Sequence, residues 1–76
     1  MINVDVFVDA KGLSCPMPIV KAKKAMDAME SGQVMQVEST DKGSVNDFQG
    51  WARSNSHEVL KTEEEGGVYR IFVRKG

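Results

Sequence analysis

Apolar and polar residues alternate strictly at the start of the chain. Ile2, Val4, Val6 and Val8 fall on one side of Ile-Asn-Val-Asp-Val-Phe-Val. That period of two predicts a half-buried strand over residues 2–8. Asp9 to Ser14 is polar and holds Gly12, which predicts a loop. From about Pro16 to Ser31 the period changes. Ile19, Ala22, Met26 and Met29 make one apolar helical stripe, with Lys21, Lys24, Asp27 and Glu30 on the wet side. Gly32 suits the left-handed position that ends a helix. A second strand is expected over 33–40 around Val34, Met35 and Val37, then a turn at Asp41-Lys42-Gly43. Ser44 is the expected N-cap of a second helix, and Asp47 adds acid to its first turn. That helix should run to about Ser54, with Val45, Phe48, Trp51 and Ala52 facing inward. Asn55-Ser56 should end it, Asn being tolerant of the left-handed conformation. A third strand over 57–62, a solvated hairpin turn at Glu64-Glu65-Gly66-Gly67 and a last strand from Val68 to Arg74 complete the reading.

The order βαβαββ defines the fold class as α/β in the α+β sense. Two helices cannot cover both faces of a small four-stranded sheet, so a two-layer sandwich with both helices on one face is expected. If the first two strands are parallel, the sheet is mixed and both helix N-termini open on one edge. Ligand and reaction sites in open α/β sheets favour that edge. Asp9, Cys15, Asp41, Lys42 and Ser44 would gather there. No repeat or linker interrupts residues 1–76, which read as a single domain.

Composition narrows the function classes. Ten Lys and Arg face eleven Asp and Glu, so nothing pulls the chain toward nucleic acid or an anionic membrane. No stretch approaches the roughly 20 apolar residues of a membrane span. The N-terminus has no basic region followed by an apolar run, so it is not read as a signal peptide. One Cys and one His cannot close a tetrahedral zinc site. No metal and no organic cofactor are expected. A lone free thiol without an export signal fits a reducing cytoplasm.

That thiol is the candidate chemistry. It stands in Gly12-Leu13-Ser14-Cys15-Pro16-Met17-Pro18. Proline is favoured at the first helical position, which makes Cys15 the expected N-cap and puts Pro18 at the third helical position. A free thiol with a pKa near 8.5 is only about 3% thiolate at pH 7. A helix dipole contributes about 0.3–1 kcal/mol, less than one pKa unit. The dipole alone gives moderate activation, to which Lys11, Lys42 and the helix lysines would add. His57 is expected at the opposite edge, which argues against a Cys–His dyad. A lone cysteine in a small domain is commonly an apolar filler. The two prolines bring the filler and reactive readings about level.

The run from Asp9 to Pro18, followed by Lys23 or Lys24, resembles the signature of the TusA/SirA/YedF-type sulfurtransferase (sulfur carrier) family. So do Asp41-Lys42-Gly43-Ser44-Val45-Asn46-Asp47 and His57-Glu58-Val59-Leu60. The resemblance covers essentially the whole chain. It implies a sandwich like the C-terminal domain of translation initiation factor 3. It also implies a protein that accepts sulfane sulfur as a cysteine persulfide and hands it on. Donors in the family are cysteine desulfurases and rhodanese-like proteins. Acceptors lie in tRNA thiolation, molybdenum cofactor supply or sulfur oxidation. The active cysteine maps onto Cys15, with Pro16, Pro18 and Gly12 as its mount and Asp41 as an acidic neighbour. Lys42 stands where many members carry proline, and Ser56 where many carry glycine.

Met17, Lys21, Lys24 and Lys42 are candidates for docking a partner, set against plain solvent exposure. Phe7 and Phe72 would make an apolar patch on the open face if they are neighbours. Monomer or weak dimer is the expected state, without direct contact to nucleic acid or membrane. Two other function classes remain at this point. One is a protein- or RNA-binding regulatory module in which Cys15 is incidental. The other is a thiol redox sensor, which would need an external resolving thiol.

Overall fold

The computed structural model describes residues 3–14 and 17–76. The expected placements of Ile2, Cys15 and Pro16 therefore lie outside the described residues. The elements are β1 (Val6–Ala10), α1 (Met17–Asp27), β2 (Val34–Ser39), α2 (Ser44–Ser54), β3 (Glu58–Glu65) and β4 (Val68–Arg74). The strands form one mixed sheet in the order β1-β2-β4-β3. β1 is parallel to β2, and both other pairings are antiparallel. The expected βαβαββ two-layer sandwich is the observed fold.

Strand periodicity sorts the sheet into two faces. Val8, Ala10, Met35, Val37, Ile71 and Val73 are buried on one face against Ala22, Met26, Phe48 and Ala52 of the helices. Phe48 meets Trp51 edge to face at 5.7 Å, and Trp51 is half-buried. The opposite face is open. There Phe7 sits beside Gln36, and Gln36 beside Phe72, so the two phenylalanines share a row without touching. Phe7 is 55% exposed. A line of ion pairs crosses the same face, from Lys11 through Glu38 and Arg70 to Glu63 and Glu65. Lys11 and Arg70 together hold the Glu38 carboxyl below its ordinary value, with the Lys11 hydrogen bond the larger cause.

Several element ends differ from the sequence expectation. β1 begins at Val6 because β2 begins at Val34, leaving Val4 with no partner strand. It runs on through Asp9 and Ala10, which pair with Glu38 and Ser39. α1 stops at Asp27 rather than Ser31. The chain there tightens into three-residue turns, with Ala28 N–H donating to Ala25 O and Met29 N–H to Met26 O. Met29 still reaches the core. Ser44 is not the N-cap of α2: Gly43 is, and Ser44 is the first helical residue with a buried hydroxyl. At the other end of α2, Ser56 and not Asn55 takes the left-handed conformation, with φ 61°. Ser56 N–H donates to Arg53 O and His57 N–H to Ala52 O, the paired bonds of a Schellman motif. Finally, Glu63, Glu64 and Glu65 belong to β3, and the turn is only Gly66-Gly67. Both glycines have positive φ, which a two-residue hairpin of this hand requires.

Candidate functional site

Parallel pairing of β1 and β2 carries the chain from the same sheet edge into both helices. The β1–α1 and β2–α2 loops therefore lie side by side. Between them is a cleft of about 420 Å³ lined by Gly12, Leu13, Ser14, Thr40, Asp41 and Lys42. Cys15 follows Ser14 in the chain, and the described residues flanking it are joined by an N–H···O bond of 2.9 Å from Met17 to Ser14. Gly12 turns with φ +82°, a conformation that side chains rarely tolerate. Leu13 is half-buried and packs on the core.

The two loops are held differently. Asp9 Oδ1 accepts from Lys11 N–H at 3.1 Å. That bond and the Lys11 ammonium keep the Asp9 carboxyl below its ordinary value. Gly12 N–H donates to Thr40 Oγ1 at 3.0 Å, across the cleft floor. On the second loop, the buried hydroxyls of Ser39 and Ser44 lie 2.6 Å apart. Asp41 N–H donates to Ser39 Oγ at 3.2 Å, and Asp41 Oδ1 accepts from Gly43 N–H at 3.0 Å.

Of the expected site residues, Gly12, Asp41 and Lys42 meet at this cleft. Ser44 lies buried beneath it. Asp9 stands at the end of β1 and does not line the cleft. Pro18 is buried in the first turn of α1. Cys15 and Pro16 are outside the described residues, so the expected N-cap stands as an expectation. No acidic residue occupies the first turn of α1. Two of the lysines offered as thiolate support are engaged elsewhere. Lys11 pairs with Glu38 at 2.9 Å, and Lys21 Nζ donates to Asp9 O at 2.6 Å. His57 lies at the opposite edge, where Gly76 N–H donates to its Nδ1. Burial, and then Lys75, push its imidazole below the ordinary value. Among the described residues no cluster of three or more acidic or imidazole groups is placed to hold a metal.

Two residues went unremarked in the sequence. Val20 is 43% exposed, one turn from Met17, which is 48% exposed. An apolar residue among the lysines of a wet face was a visible signal. Thr40 carried no signal, because its role depends on two loops meeting 28 residues apart.

Comparison with known proteins places this arrangement. The family model described as Sulfurtransferase TusA matches residues 6–75. Sulfur carrier protein TusA of Allochromatium vinosum is 45% identical over 75 residues, covering 99% of either chain. YrkF of Bacillus subtilis is 51% identical over all 76 residues, and the chain spans only 41% of that longer protein. The SirA-like protein of Desulfitobacterium hafniense superposes with a TM-score of 0.82 at 29% identity, covering 93% of this chain and 97% of that one. The chain belongs to the TusA family of sulfur carriers. Membership implies donor and acceptor proteins as partners. Among the described residues no helix is long and apolar enough to cross a membrane.

Proposed function

We propose that residues 1–76 act as one sulfurtransferase-type carrier domain in which Cys15 holds the cargo as a persulfide. The observation that carries this reading is one of position. In a chain of the TusA family, the only thiol follows Ser14 in the cleft wall and precedes Met17, the exposed start of α1.

The chemistry needs no cofactor and no net oxidation. The Cys15 thiolate attacks the outer sulfur of a donor persulfide. A new S–S bond forms on Cys15, the donor S–S bond breaks, and the donor leaves as a thiolate. An acceptor thiolate then takes the same sulfur from Cys15 in the same way. Each step follows the fraction of attacking thiolate, so a moderately lowered thiol pKa suffices.

Sulfur passes only when two proteins touch at this edge. Met17 and Val20 supply apolar contact there. α1 carries three lysines against one aspartate on a chain of net charge −1. Lys24 and Lys42 would meet an acidic rim on the partner, while Lys21 holds the end of β1. Gly12, Pro16, Pro18 and Asp41 form the mount. A cysteine desulfurase or a rhodanese-like protein is the donor class, and the reducing cytoplasm is the place.

Intact-mass measurement after incubation with a desulfurase and cysteine, or with a rhodanese and thiosulfate, tests the reading. We expect a gain of one sulfur atom that reductant removes and that Cys15→Ser abolishes. No gain with either donor, on a Cys15 that alkylates readily, would overturn it.

A further inference from the structure

We propose that Thr40 is a positioning residue for Cys15, acting through the Gly12 amide. This rests on the carrier reading above. Segment 12–14 leads directly into Cys15, and most of its described hydrogen bonds are local. Leu13 N–H donates to Ala10 O at 3.3 Å, and Ser14 O accepts from Met17 N–H. Among the described residues, the one hydrogen bond that ties this segment beyond its own loop runs from Gly12 N–H to Thr40 Oγ1.

Thr40 is a firm anchor because its neighbours are cross-bonded. Ser39 before it is fully buried and bonded to Ser44 Oγ. Asp41 after it donates its N–H to Ser39 Oγ, and Asp41 O accepts from Ser44 N–H at 3.1 Å. Two hydroxyls in so small a core are costly unless paired, and pairing fixes their geometry. The fixed geometry passes to Thr40, and from its hydroxyl to the loop that bears the thiol. Transfer between two protein-bound sulfurs needs the attacking, transferred and leaving atoms nearly in line. Such a reaction is sensitive to small displacements of the mount. A small alkylating reagent can approach from any open side and lacks that sensitivity.

The test compares Thr40→Val with Thr40→Ser. For Thr40→Val we expect protein-to-protein sulfur transfer to slow on the order of tenfold. Alkylation of Cys15 by iodoacetamide should keep its wild-type rate and pH profile. Thr40→Ser keeps the hydroxyl and should restore transfer. The Gly12 amide should exchange hydrogen faster in Thr40→Val alone. Wild-type transfer by Thr40→Val overturns the proposal. Slow transfer by Thr40→Ser also overturns it, since the methyl would then be the operative group. Alkylation that falls in step with transfer does the same, because the loss would then lie in the thiol. If wild type takes up no sulfur, the carrier reading fails separately. Gly12 exchange then decides the matter, with faster exchange in Thr40→Val supporting the hold on the loop and unchanged exchange overturning it.

Discussion

The two ends of the sheet are built to different rules. At the edge where β2 begins and β4 ends, backbone groups bond to one another across the molecule. Gly32 N–H donates to Lys75 O at 2.8 Å and Lys75 N–H to Gln33 O at 2.9 Å. Lys75 Nζ reaches Met29 O, and His57 receives Gly76 N–H. At the edge where β1 and β2 end, side chains do the holding beyond the local backbone turns. Thr40, Asp9, Lys21 and the Ser39–Ser44 pair brace two loops around an open cleft. Met17 and Val20 stay exposed beside it. The two backbone bonds survive nearly any substitution, and the Lys75, His57 and Asp5 side chains add to them, so the first edge is a lock. Side-chain bonds can be tuned one residue at a time without dismantling the sheet. A protein that must touch several partners at one edge gains from keeping stability at the other.

A matched pair of substitutions separates the edges most sharply. Gly12 and Gly32 have φ of +82° and +91°, and a Cβ at either would meet nothing within 4 Å. Alanine at each should therefore cost backbone strain, about 1–2 kcal/mol, partly offset by the roughly 0.4–1 kcal/mol gained from a less free unfolded chain. In a domain this small each kcal/mol lowers Tm by about 4–8 °C. Both variants should melt earlier by similar amounts. Only Gly12→Ala should also slow sulfur uptake, since it alone disturbs the loop before Cys15. Equal uptake by the two variants, at a temperature where both are folded, would erase the functional half of the contrast.

This contrast was partly legible in the sequence. The βαβαββ order follows from a period that switches between two and about three and a half, and the shared helix edge followed once β1 and β2 proved parallel. Those switches are local and survive folding. Element ends were less legible because partners set them. Val4 continues the alternation perfectly but has no strand beside it, and Glu63 to Glu65 look like a solvated turn until β4 pairs with them. Ser44 carries every mark of an N-cap. Its hydroxyl is drawn instead to Ser39, a residue whose burial no local pattern announces. At the site, Asp41 and Lys42 were foreseeable from topology, and Gly12 from the family resemblance. Thr40 was not, because a hydrogen bond between loops depends on how two elements meet. Lys21 and Lys11 read as free cations in the chain, and tertiary partners claimed both.

The lock has one imperfect part, and repairing it should raise stability without touching function. Ser56 occupies the left-handed position of the Schellman motif after α2, where glycine fits without strain. Ser56→Gly removes the strain but gives the unfolded chain more freedom, about 0.4–1 kcal/mol. We expect a net gain of roughly 0.5–1 kcal/mol, seen as a Tm rise of a few degrees. Sulfur uptake should stay at the wild-type rate, since Ser56 lies at the edge away from the cleft. A lower Tm would mean that the serine contributes a bond worth more than its strain.

Ion pairs give the smallest and finest comparison. Near the cleft edge, the Glu38 side chain is 16% exposed and lies between Lys11 and Arg70. Toward the locked edge, Glu58 pairs with Arg74, and both side chains are more than half exposed. Exposed pairs are screened by water and salt and contribute little. Glu38 is far less exposed, and its folded pKa is lowered below the ordinary glutamate value of 4.5. The unfolded chain then binds the proton more readily than the folded one. Stability from Glu38 is therefore present above that value and is lost as pH falls through the lower, folded pKa. Glu38→Gln should be measurably less stable than wild type in urea at pH 7, and the gap should close in acid, once pH has fallen below the lowered folded pKa. Glu58→Gln should lie within the scatter of wild type at neutral pH. Because the Lys11 and Arg70 charges flank Glu38, added salt should narrow its gap at pH 7 only partly. A Glu38→Gln deficit of the same size at pH 7 and in acid would show that the carboxylate charge is not what braces this end of the sheet.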